Sequence, residues 1–261
     1  MLRVRSLAVI ALTVALVAVG SAPASANHSW GSYHWGRTAN PFTLQLGDNV
    51  DSKWDSHLSV ASTDWTVSTV LDTTIVVGST TGRKCRASTG TVQVCNASYG
   101  ANGWLGLAQI WISGVHIVQG VAKMNDTYFN LATYNNPNEK QHVMCQEVGH
   151  TFGLAHQDES GASLNTCMDY FSNTGANATS TLSTHPNQHD YDQLEAIYNS
   201  HLDASNTFKS APAGSGAGAA NGGPGFRDDG TPVGAHPSRG DVYVTDLGGG
   251  RRIVTFITWA R

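Results

Sequence analysis

What this chain lacks narrows its reading first. Only 13% of its 261 residues are charged and the formal net charge is −4, so there is no basic surplus with which to hold nucleic acid or an anionic membrane surface. No internal repeat is present, which excludes solenoids and propellers. No apolar run reaches the ~20 residues needed to cross a bilayer. The longest, Leu7 to Val19, is too short and is flanked otherwise than a membrane span. Cysteine is scarce, at four residues.

What is present begins with an export signature. Arg3 and Arg5 precede the Leu7–Val19 run, and Ala24-Ser25-Ala26 follows as a small-residue cleavage site. The expected product is a secreted, extracellular, monomeric chain starting near Asn27, without a membrane anchor once the signal (1–26) is removed; an uncleaved anchor is the alternative. At this length one substantial core can be buried. Residues 206–225, rich in Gly, Ala and Ser, read as a flexible linker between a main domain (27–205) and a C-terminal segment (226–261). In that segment Asp241–Thr245 and Arg252–Trp259 flank Asp246-Leu-Gly-Gly-Gly-Arg251, a β-hairpin pattern. About 36 residues do not easily fold alone, so the hairpin is expected to dock on the main domain; a surface-binding appendage is the alternative.

The most informative stretch is Gln146-Glu147-Val148-Gly149-His150-Thr151-Phe152-Gly153-Leu154-Ala155-His156. It is one residue away from H-E-x-x-H-x-x-G-x-x-H, in which three imidazoles hold zinc and a glutamate acts as base. On a helix, positions 146 and 150 share a face and can converge on one ion. Gly153 can adopt the positive φ that ends the helix and brings His156 round. The mismatch is Gln146, whose amide oxygen is a neutral acceptor and a weaker donor than imidazole. A His2Gln zinc site is expected, with metal retention weakened by at least roughly 10–100-fold. His142 lies one turn before Gln146 and about 12 Å along the axis from His150, too far to share its ion. His28, His34, His57, His116, His201 and His236 read as ordinary structural histidines, while His185 and His189 remain near the motif in sequence.

Downstream, Thr166-Cys167-Met168-Asp169-Tyr170 resembles the Met-turn beneath the metal in the metzincin clan of zinc metallopeptidases, and the resemblance runs from about Pro41 to His201. Asp51–Trp65 and Val70–Gly78 resemble that clan's first long helix and strand. Gly103–Ala108 resembles its antiparallel edge strand, and Pro186–Leu194 the start of its C-terminal helix. The resemblance implies a mixed α/β (α+β) domain with a twisted mixed sheet, an active-site helix and the Met-turn, to which the C-terminal hairpin is added. It also implies secreted, zinc-dependent hydrolysis of polypeptides. Gln146, His150 and His156 would hold the metal, Glu147 would be the general base, and Gly153 and Met168 would be structural. Tyr170 would stabilise the oxyanion, its alternative being a buried structural tyrosine. The competing function is a catalytically impaired pseudo-protease that binds a partner.

Cysteines in an exported chain are expected to pair, and four allow three connectivities. Cys85 and Cys95 bracket a Gly-containing hairpin pattern, Arg86–Val94, and would close it. Cys145 and Cys167 would then staple the metal-binding helix to the Met-turn. A thiolate ligand is the alternative for Cys145, but it points about 100° round the helix from Gln146.

Overall fold

The structure is a computed structural model describing residues 28–207 and 242–261. The expected signal peptide, all but two residues of the expected linker, and His236 lie outside the described residues. Among the described residues no helix is long and apolar enough to cross a membrane.

One mixed sheet organises the molecule. Strands β2 (Phe42–Asn49), β3 (Leu71–Val77), β4 (Thr91–Ala97) and β6 (His116–Asn125) pair parallel, and β5 (Trp104–Ser113) returns antiparallel against β6. A short β1 (His34–Trp35) pairs parallel with the start of β6, setting His34 opposite His116. The C-terminal hairpin, β7 (Val242–Gly248) and β8 (Arg251–Trp259), extends the sheet, giving the order β3-β2-β4-β6-β5-β8-β7.

This order corrects one expectation. The strand around Gly103–Ala108 is not at the edge: β5 is flanked by β6 and, antiparallel, by β8, from Trp104 opposite Trp259 to Ser113 opposite Arg251. The nearly unbroken apolar run Trp-Leu-Gly-Leu-Ala-Gln-Ile-Trp-Ile marks a strand covered on both faces, which does not say what pairs along its edges. A second correction concerns the cysteines. Cys85 and Cys95 are bonded, but not across a hairpin: Cys85 sits in a turn at φ +40°, and only residues from Thr91 onward form a strand.

Two of the helices pack on each other and on the sheet. α1 (Asp55–Trp65) lies against α3 (Pro137–His150), with the single turn α2 (Asp126–Phe129) between them in the chain and α4 (Gln188–Tyr198) after them. Asn136 starts α3 by accepting the Glu139 amide at 2.9 Å, with Pro137 at the first helical position, where its missing N–H costs nothing. From Gln141 to His150 the helix is buried all round. Gly149 permits this: a Cβ there would stand 2.6 Å from Trp65 and 2.7 Å from Met168 Sδ. The Trp65 indole donates to the Cys145 carbonyl at 3.2 Å. The Cys145–Cys167 disulfide ties α3 to the turn carrying Met168.

Candidate metal centre and its cover

α3 ends where the histidines begin to converge. Gly153 takes φ +95°, and its missing side chain leaves room for the Tyr33 carbonyl, 2.5 Å from where a Cβ would lie. The chain reverses, and His156 returns over the last helical turn until its Nε2 is 3.0 Å from His150 Nε2, ring edge to face. His150 Nδ1 faces the Leu154 carbonyl at 2.8 Å. A carbonyl only accepts, so the ring proton sits on Nδ1 and the Nε2 lone pair points at His156. Burial, and secondarily each ring's neighbouring histidines, hold His150 well below its ordinary pKa and push His156 down to about 3. Both rings are therefore neutral, the form that binds a metal.

Gln146 and Glu147 complete the buried group, both without solvent exposure. The Gln146 amide nitrogen donates to the Asp169 carbonyl at 2.8 Å, and His142 Nε2 meets the same carbonyl at 3.1 Å. This leaves Gln146 Oε1 as the only donor atom that side chain can offer an ion. Thr258 Oγ1 contacts Gln146 Oε1 at 2.5 Å and Glu147 Oε1 at 2.6 Å. A hydroxyl has one proton and the amide oxygen only accepts. Thr258 thus serves the amide, and a proton on Glu147 closes the second contact. Burial, against the opposing effect of Thr258, pushes the Glu147 carboxyl up to about 8, in keeping with that proton. Its other oxygen, Oε2, is buried without a hydrogen-bond partner.

Met168 lies beneath, its carbonyl accepting the Gln157 amide at 2.6 Å. The Tyr170 ring meets His156 edge-on at 4.3 Å, and the Arg261 guanidinium stands over that ring at 5.0 Å. Beside Gln146 is a cavity of about 50 Å³, walled by Leu105, Val143, Tyr170, Thr258 and Trp259. It has room for water, not for a peptide.

Sequence reasoning missed who covers this group. Phe256 of β8 lies flat on His150, ring centroids 4.4 Å apart and planes within 6°, and Thr258, two residues on, faces the same side. The alternation of a strand puts positions 256 and 258 on one face, so the Phe-Ile-Thr spacing was readable, but not its destination. The remaining histidines divide. His28 stacks on His189 and faces Asp190 at 3.4 Å, and His185 pairs with Asp64 at 2.6 Å. His57 faces Gln141 at 3.0 Å. His34, His116 and His201 come together elsewhere.

No family model matches the chain, and no curated protein matches it. Among solved structures it is similar to myroilysin, at 11% identity and a TM-score of 0.37, over 67% of this chain and 100% of that one. It is also similar to high choriolytic enzyme 1, a hatching-enzyme zinc protease from Oryzias latipes, at 11% identity and a TM-score of 0.36, over 66% and 99%. Likenesses at those scores say nothing about activity.

Proposed function

We propose that this chain is a secreted zinc-dependent endopeptidase of metzincin type. The observation that carries the reading is the 3.0 Å approach of two neutral, buried imidazole nitrogens beside the Glu147 carboxyl group, one oxygen of which has no partner. A tetrahedral zinc with bonds of about 2.0–2.1 Å to nitrogen needs donor atoms about 3.3–3.4 Å apart, close to what His150 and His156 offer. Gln146 Oε1 would be the third donor once Thr258, which donates to it here, is displaced, and its amide is held by the Asp169 carbonyl. The donor set therefore fits a divalent ion of zinc's class, with one amide oxygen in a place where imidazole binds more tightly.

Zinc held there would acidify a water and polarise a scissile carbonyl. The protein's own part is proton traffic and positioning. Glu147, freed of its proton and of Thr258, takes the proton from the attacking water and passes it to the leaving amide nitrogen. Tyr170, packed against His156, would donate to the developing oxyanion. Polypeptide is the expected substrate, taken as an added strand along β5 once β8, which pairs with it from Trp104 to Ser113, has left that edge.

One observation favours the second reading, a partner-binding protein without catalysis: Gln146, Glu147 and His150 are fully buried beneath β8. Metal occupancy decides first. Crystals of the full chain grown with excess zinc should show anomalous density between His150 and His156, and His156→Ala should abolish it. No density there ends the endopeptidase reading in favour of the binding protein. Chelator-sensitive cleavage of an unfolded polypeptide, lost in Glu147→Gln with the metal retained, assigns the base.

A further inference from the structure

We propose that His34, His116, His201 and Asp203 form a second, structural metal site of the class filled by zinc. The site is built by the fold and not by a motif. Parallel pairing sets His34 of β1 opposite His116 of β6, and the chain leaving α4 brings His201 and Asp203 over them. Asp203 Oδ1 lies 3.0 Å from His116 Nε2, 3.5 Å from His34 Nε2 and 3.6 Å from His201 Nε2, and the last two nitrogens are 3.3 Å apart. These separations lie around the roughly 3.3–3.4 Å expected at a tetrahedral zinc with bonds of about 2.0–2.1 Å; the His34, His116 and Asp203 ligand atoms all lie within 4.8 Å of one another, and His201 reaches that trio through His34 and Asp203.

Hydrogen bonding accounts for only part of this. His116 to Asp203 has an ordinary length, but 3.5 and 3.6 Å lie outside the usual range. His34 Nδ1 faces the Ser32 carbonyl at 2.7 Å and so carries the ring proton. Its Nε2 lone pair then points at a carboxylate oxygen and at a third imidazole, an arrangement a cation resolves. Asp203 Oδ2 is taken by Arg37 through Nη1 at 2.8 Å and the backbone N–H at 3.1 Å, leaving Oδ1 for the cluster. With His201 drawn in as the fourth ligand, three imidazoles and one carboxylate would make a closed set with no position for substrate, as structural zinc sites have. The clasp would pin β1, whose Trp35 indole donates to the Thr151 carbonyl at 2.9 Å, directly after His150.

The test uses the full chain and zinc alone. His116 and His201 are 37% and 46% exposed in their side chains, so His116→Ala/His201→Ala leaves the core intact. Wild type should hold one more tightly bound zinc than this variant by mass spectrometry. Zinc at about 100 times its Kd should also raise the wild-type Tm by about 5–10 °C more than the variant's, and His156→Ala should keep that increment. Equal zinc content and equal shifts overturn the proposal. Should the variant fail to fold, cobalt in the wild type must give tetrahedral absorption that His156→Ala retains; its absence also overturns it.

A second, independent observation concerns β8, and it rests on the endopeptidase reading. We infer that the C-terminal hairpin is a built-in competitor that must leave before polypeptide can enter. β8 takes the backbone positions of β5 that face it, Phe256 shields His150, and Thr258 occupies both Gln146 and Glu147. On its far side lies only β7, an edge strand of alternating intermediate and exposed residues. Cutting the chain between residues 208 and 241, then diluting, should raise cleavage of a fluorogenic polypeptide at least tenfold, and added peptide 242–261 should reverse the rise. Equal activity before and after cutting overturns the closure and leaves the endopeptidase standing. No activity in either form, with zinc bound at His150 and His156, overturns the endopeptidase reading and the closure with it.

Discussion

Replacing both Cys145 and Cys167 by alanine should cost more than replacing Cys85 and Cys95, for a reason set by chain length. The first bond spans 22 residues and the second 10. Loop-closure entropy then assigns about 3.4 kcal/mol to Cys145–Cys167 and about 2.7 kcal/mol to Cys85–Cys95 at 25 °C. For a domain of this size each kcal/mol moves Tm by roughly 2–4 °C, so the first pair should lower it by roughly 7–14 °C. The pairs differ more sharply in function. Cys145 precedes Gln146 and Cys167 precedes Met168, so losing their bond frees α3 from the turn beneath the histidines. Cys85 and Cys95 lie in a separate apolar cluster with Trp111, Val121 and Ile253. Scanning calorimetry and zinc release to a chelating dye, run on both double variants, read the two effects. A loss below about 1 kcal/mol for Cys145/Cys167, or equal zinc release from both variants, would refute the reasoning.

Gly149→Ala should destabilise by roughly 1–3 kcal/mol in urea titration, because its methyl group meets Trp65 and Met168; unchanged stability would mean the two side chains have slack. Gln146→His should tighten zinc retention by roughly 10–100-fold in competition with a chelator, and equal retention would mean that position 146 does not ligate. Asn187→Ala should cost about 1 kcal/mol, since the Asn187 side chain accepts from the His189 and Asp190 amides and Asp190 completes a capping box. No change in Tm would contradict that role.

Local features of the site were legible in the sequence. Four-residue spacing predicts that Gln146 and His150 share a face, Gly153 predicts the reversal, and each of these is a matter of a few bonds. Cysteine positions beside Gln146 and Met168 likewise suggested the staple that forms. What was illegible depends on strands meeting across long separations. No periodicity announces that His34 will stand opposite His116, or that residues 201 and 203 will close over both, because parallel register is settled by the sheet as a whole. The place of β8 was hidden for a related reason. Its hairpin pattern was plain, but the partner strand lies more than a hundred residues upstream, and the apolar run of β5 reports its faces and not its edges.

Pairing of β8 with β5 makes the cover a matter of counting. Side chains along a strand alternate, so deleting one residue such as Val254 would turn Phe256 and Thr258 to the opposite face and present their neighbours to His150 and Glu147 instead. Length in this short segment is thus constrained more tightly than composition: many substitutions keep a strand there, whereas a single-codon deletion would exchange the two faces and leave the imidazole without its aromatic lid.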